Sequence, residues 1–163
     1  VLNDIGPTLD SAALQRIGSY LGKTGRFDTL QQAADAMWAI SSSFGPHTPA
    51  QWLALSQHMV RPLVVGEPTL TLHYDPALAA AFGTFTAESA AAGEAALWAL
   101  YEQITAQTLL LRGAESDLLS AATAQAMAQR GPKARLVEFA GVGHAPTFMV
   151  DDQVAVVVDF LQH

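Results

Sequence analysis

Residues 108–120 read TLLLRGAESDLLS. Thr108 to Arg112 form a short, continuous apolar run, the pattern of a strand buried on both faces rather than one with a wet side. Gly113 to Leu119 then supply a loop with two acids, and Ser120 is positioned to cap a following helix. That helix is expected to run to about Gln129, where Gly131-Pro132 stops it. A second strand is expected over Ala134 to Phe139, followed by the stretch FAGVGHAPTFM at 139–149 and a last helix from Asp151-Asp152. On that helix Val154, Val157, Val158 and Leu161 make the apolar side. Strand, loop, helix, strand, loop, helix is the order of an α/β protein with a parallel sheet and helical crossovers. In such sheets chemistry collects at the carboxyl ends of the strands. Asp117 follows the first of these strands and His144 the second, so both belong at one edge.

Upstream the pattern is helical. Asp10 caps a helix over about Ser11 to Gly22, and Asp28 or Thr29 starts another carrying Leu30, Ala34, Met37, Trp38 and Ser41 on one face. Thr48-Pro49 is an N-cap followed by proline at the first helical position. That third helix carries Trp52, Leu55 and Met59, and Arg61-Pro62 is expected to end it. Leu70 to Tyr74 alternate as an extended segment, and Asp75-Pro76 open a short helix through Ala81. Gly83 to Gly93 are rich in small residues and are expected to be mobile; helical spacing returns from about Glu94 to Gln103. The expected organisation is a strand end and turn at 1–7, helical cap at 8–93 and a core part at 94–163.

The 163 residues suffice for one domain, and half are apolar. No run approaches the ~20 apolar residues of a membrane span. A net charge of −7, with few and scattered cations, argues against nucleic acid and anionic membrane as partners. Without cysteine there is no disulfide and no thiolate metal site, which fits a cytoplasmic chain. His47, His58 and His73 lack metal-ligand spacing and read as surface or cap residues. No glycine-rich phosphate loop occurs, so no nucleotide, cofactor or metal is expected. Arg61 and Arg112 are expected to pair with local carboxylates. The start, Val1-Leu2-Asn3-Asp4, lacks both an initiator methionine and a signal-peptide pattern and reads as the end of a buried strand; the chain is expected to begin inside a larger protein.

LLLRGAESDLLS followed by GVGHAP, with His144 27 positions after Asp117, resembles the acid and histidine loops of the α/β-hydrolase fold. VLNDIGP at residues 1–7 is similar to the end of that family's sixth strand and the approach to its helical cap. The resemblance covers the whole chain and implies its C-terminal half: parallel strands with crossover helices plus a cap. It implies His144 as the base and Asp117 as the acid that orients it. Asp4 is a rival, since some members carry the acid after strand six; the Ser-Asp-Leu-Leu context favours Asp117, and Glu115 falls one step early. A serine hydroxyl is a poor nucleophile until an imidazole takes its proton, and a carboxylate on the other ring nitrogen fixes the tautomer.

The nucleophile is missing: no Gly-x-Ser-x-Gly occurs, and Ser41-Ser42-Ser43 sit at a helix end rather than on a strand-to-helix elbow. The resemblance therefore implies a parent serine hydrolase or esterase for small, fairly apolar esters, with an aspartate nucleophile as the variant, and a chain inactive alone. Its partners would be a small-molecule substrate and the missing N-terminal half, or a dimer partner covering the open sheet edge. Trp38 and Trp52 are candidate substrate-pocket residues, although aromatics at helical spacing are more often core. The rival reading is a non-catalytic helical binding or dimerisation module with relic loops.

Overall fold

A computed structural model describes residues 1–8, 10–82 and 87–163. A three-stranded parallel sheet organises it: β1 (Leu2–Asn3), β4 (Leu109–Gly113) and β5 (Arg135–Phe139), in the order β1-β4-β5. Leu2 pairs with Leu110 and Asn3 with Leu111, and Leu110 faces Leu136 on the other side. β4 is thus central, and all five of its residues are buried. Its side chains alternate between two cores. Leu110 packs with Tyr101, Leu119, Ala124 and Met127, from α5 (Ala87–Glu102) and α6 (Ala121–Gln129) and the loop before α6. Leu109 and Leu111 pack with Phe139, Val142 and Phe160, the last from α7 (Asp151–Gln162). This two-sided burial is why β4 reads as an unbroken apolar run.

Between β1 and α5 lies an insert: α1 (Ser11–Tyr20), α2 (Leu30–Ser41), α3 (Pro49–Ser56), the antiparallel pair β2 (Val60–Pro62) and β3 (Leu70–Leu72), and α4 (Ala79–Phe82). It has its own core of Ala33, Ala34, Met37 and Trp52. Local chemistry sets the helix starts. Asp10 accepts from the amides of Ala12 and Ala13, Thr29 from that of Gln32, and Thr48 and Gln51 form a reciprocal capping box. Ser120 caps α6 in the same way.

Three expectations change. α3 ends at Ser56, not at Arg61-Pro62, because 60–62 pair with 70–72, the segment expected to be extended, and the sequence does not display that pairing. α5 begins at Ala87, before the expected start at Glu94, and carries Gly93 inside it; residues 83–86 of the segment expected to be mobile lie outside the described residues. On α7 the side facing the sheet holds Val156, Val157 and Phe160, while Val154, Val158 and Leu161 are exposed. Two apolar stripes share that helix, and periodicity does not tell which one the sheet covers. Among the described residues β1 is paired on one side only, and no helix is long and apolar enough to cross a membrane.

Candidate active site

The loops after β4 and β5 are laced together at the carboxyl edge of the sheet. Ala114 N–H donates to Phe139 O (2.9 Å) and Glu115 N–H to Val142 O (2.9 Å). Gly113 allows this approach, since a Cβ there would fall on the carbonyls of Val142 and Gly143. Gly143 N–H in turn donates to Ser43 O of the insert (2.6 Å). Two further bonds tie the insert to the same loop: His47 Nε2 with Thr147 Oγ1 (2.7 Å) and Gln51 Nε2 to Met149 O (3.0 Å). His47 Nδ1 meets the carbonyl of Gly45 (2.8 Å). In the neutral ring Nδ1 therefore carries the proton and Nε2 accepts from the threonine.

Asp4 ends β1 in a left-handed turn (φ 53°), with its N–H donating to Leu111 O at 2.8 Å. Aspartate tolerates that conformation better than most residues. The turn drives the carboxylate inward, where Asp4 is 0% exposed. A buried carboxylate needs donors, and three reach it: Gly113 N–H at 3.0 Å, the Ser116 hydroxyl at 2.6 Å and His144 Nδ1 at 2.8 Å. Ser116 Oγ also accepts from the amides of Leu118 (3.2 Å) and Leu119 (3.1 Å), so its single proton is committed to Asp4. An ionised carboxylate only accepts, so Nδ1–H is the donor in this pair and Nε2 holds the lone pair. The His144 side chain is 25% exposed, and its Nε2 has no hydrogen-bond partner among the described residues. The arrangement is a buried acid fixing the tautomer of a reachable imidazole base.

Asp117 is elsewhere. Its carboxylate forms a forked ion pair with Arg16 of α1, at 2.9 Å to Nε and 2.7–3.0 Å to Nη2. Ser116 turns inward to Asp4, while Asp117, the next residue, takes a cation that lies 101 positions away in sequence. The expected Asp117–His144 contact is thus replaced by Asp4–His144. With side chains 39% and 50% exposed, the Arg16–Asp117 pair is worth at most about 1 kcal/mol after solvent screening. Asp117→Ala is accordingly expected to lower stability by no more than about 1 kcal/mol in urea unfolding.

Trp38 and Trp52 are brought together, but in the core of the insert. Their rings meet edge to face at 5.0 Å, and Trp52 Nε1 donates to Ala34 O at 2.8 Å. Neither lines the apolar cleft of the insert, about 600 Å³ in volume, whose wall includes Leu21, Phe27, Met37, Ile40, Met59 and Leu72. Trp98 donates to Thr8 Oγ1 (3.0 Å) and carries the Arg130 guanidinium 3.9 Å above its ring. Arg112 pairs with Glu138 at 2.6 Å, as expected of a local carboxylate, whereas among the described residues Arg61 reaches only the carbonyl of Pro62. Sequence reasoning missed Ser116 and the Gly113 amide. The Asn-Asp-Ile-Gly-Pro turn was the available signal for Asp4. Among the described residues no cluster of three or more His, Cys, Asp or Glu is placed to hold a metal.

Comparison with known proteins agrees with this architecture. The chain is 46% identical to a 3-hydroxybutyrate-oligomer hydrolase of Cupriavidus necator, across 98% of its own length and 55% of the relative's. An alpha/beta hydrolase from Novosphingobium aromaticivorans superimposes with a TM-score of 0.78 at 31% identity, over 99% of this chain and 55% of that one. A solved structure from Rickettsia typhi gives a TM-score of 0.78 at 28% identity, over 99% of this chain and 52% of that one. The chain thus spans about half the length of the relatives it matches. A family model described as the alpha/beta hydrolase family matches residues 5–160, and with the parallel sheet and the loops at its carboxyl edge, the chain belongs to the alpha/beta hydrolase family.

Proposed function

We propose that this chain is the C-terminal, acid- and base-bearing half of an ester hydrolase of the serine type, with His144 as general base and Asp4 as the acid behind it. The observation that carries this reading is the buried Asp4 carboxylate, held by three donors, with His144 Nε2 left without a partner among the described residues. In the reaction Nε2 takes the proton of a serine hydroxyl as its oxygen attacks the ester carbonyl. The resulting imidazolium, stabilised by Asp4, returns the proton to the departing alkoxide. Water then repeats the cycle on the acyl-enzyme. The insert over the carboxyl edge of the sheet serves as the cap. The name of the Cupriavidus relative supports a small hydroxyacid ester as substrate.

The serine and the oxyanion donors come from a complementary part of the protein. Its docking surface is the unpaired edge of β1 with the exposed stripe of α7. There Val1, Phe148, Val154 and Val158 line a groove of about 380 Å³. In its wall Asn3 Oδ1 is buried without a hydrogen bond among the described residues, an acceptor that an added strand would satisfy.

The test compares this chain alone with the complete protein carrying the preceding strands. Each is offered a fluorophosphonate serine probe and the linear dimer of 3-hydroxybutyrate. Labelling and turnover are expected only in the complete protein, with turnover falling about 10⁴-fold or more in His144→Ala. Labelling and serine-dependent turnover by this chain alone would refute the half-enzyme assignment. A complete protein that folds but does neither would support a non-catalytic binding module.

A further inference from the structure

Among the described residues the apolar cleft of the insert has one charged group in its wall. Lys23 lines it, and no described aspartate or glutamate does. The chain is acidic overall, and half of its cations are committed elsewhere: Arg16, Arg112, Arg130 and Arg135 each pair with a carboxylate. Lys23 forms no ion pair among the described residues. Its backbone is held in place. Tyr74 Oη accepts from Gly22 N–H (2.9 Å) and donates to Lys23 O (3.3 Å), and Gly22 sits in a positive-φ turn (87°). The wall also includes Ser41 and Phe44. These flank Ser43, whose carbonyl receives the amide of Gly143, the residue before His144. The cleft wall therefore includes an exposed lysine with an anchored backbone and residues that neighbour the contact to the histidine loop.

We propose that Lys23 is a specificity-determining residue that binds the terminal carboxylate of an anionic ester, the apolar body of which lies along Met37, Ile40, Met59 and Leu72. This rests on the hydrolase reading and deepens it, since a linear hydroxyacid oligomer carries a carboxylate at one end and ester bonds along its length. A volume of about 600 Å³ suits a ligand of two or three such units. A lone cation in an apolar wall discriminates by charge, because a neutral ligand gains nothing from it and leaves it no worse solvated at an exposed rim.

The experiment uses the complete protein with His144→Ala, so that binding is measured without turnover. Probes are the linear 3-hydroxybutyrate dimer as free acid and as methyl ester, titrated by calorimetry. Adding Lys23→Ala is expected to weaken the free acid about tenfold or more and the methyl ester by less than about twofold. Lys23→Arg should restore the acid to within about threefold, and added salt should weaken only the acid. Equal effects on both probes, no effect on either, or no binding of either probe would overturn the assignment. Turnover by the protein with His144 intact is scored separately. Charge-selective binding without hydrolysis leaves Lys23 as an anion-recognition residue and removes the hydrolase reading; hydrolysis without charge selectivity does the reverse.

Discussion

Under the hydrolase reading, Asp4→Asn in the complete protein is expected to lower kcat about 10⁴-fold, the loss typical of forcing the wrong histidine tautomer. The amide oxygen of an asparagine would keep the Gly113 N–H, which lies 3.0 Å from Oδ1. Its NH₂ would then occupy the Oδ2 position, facing His144 Nδ1 and the Ser116 hydroxyl. A donor there makes Nδ1 an acceptor and moves the ring proton to Nε2. An imidazole with a proton on Nε2 has no lone pair to take one from a nucleophile. Asp117→Asn, which touches only the Arg16 pair, should leave kcat within about tenfold of the parent. Steady-state hydrolysis of the dimer ester, with folding checked by circular dichroism, separates the two acids. A mild Asp4→Asn phenotype beside a severe Asp117→Asn one would return the role to Asp117.

Gly113→Ala should cost both stability and activity. A methyl at this position overlaps backbone carbonyls of Val142 and Gly143 rather than the end of a mobile side chain. Relief requires the β4 and β5 loops to part, which breaks Glu115 N–H to Val142 O and shifts the Gly113 amide away from Asp4. Overpacking against backbone is expected to cost about 3 kcal/mol, or a fall in Tm of roughly 6–12 °C for a chain of this size. The displaced acid and base should lower kcat by about 10²-fold in the protein that remains folded. Gly93→Ala is the control. It lies inside α5, and a Cβ there meets nothing within 4 Å. It should leave activity unchanged and raise stability by about 0.5–1 kcal/mol. Indistinguishable melts for Gly113→Ala and the parent would show that the two loops have slack.

Much of this architecture was legible because it is written in local patterns. Ser120 and the Thr48–Gln51 pair act on amides within three residues of themselves, so their helix starts need no knowledge of the rest of the chain. The β4 run was legible for another reason: burial on both faces leaves only one kind of residue to choose from. The histidine loop announced itself by its glycines, of which Gly141 takes a positive φ (72°) and Gly143 lets the Ser43 backbone approach. The stripe on α7 and the strand at 60–62 were not legible in the same way. Each depends on which neighbour arrives to cover an apolar surface, and several segments of this chain present equally apolar candidates.

The acid shows the division most clearly. By itself the sequence determined an α/β order and placed a histidine, His144, and two carboxylates near one sheet edge, because strand periodicity and turn chemistry are short-range properties. Only the tertiary structure chose between the carboxylates. β1 pairs beside β4 with Asn3 opposite Leu111, and the left-handed turn at Asp4 then brings its carboxylate to Gly113, Ser116 and His144. Arg16, carried in on α1, meanwhile draws Asp117 out to the surface. Both outcomes rest on contacts between residues more than a hundred positions apart, and such contacts are set by strand register and helix placement, which no window along the chain contains.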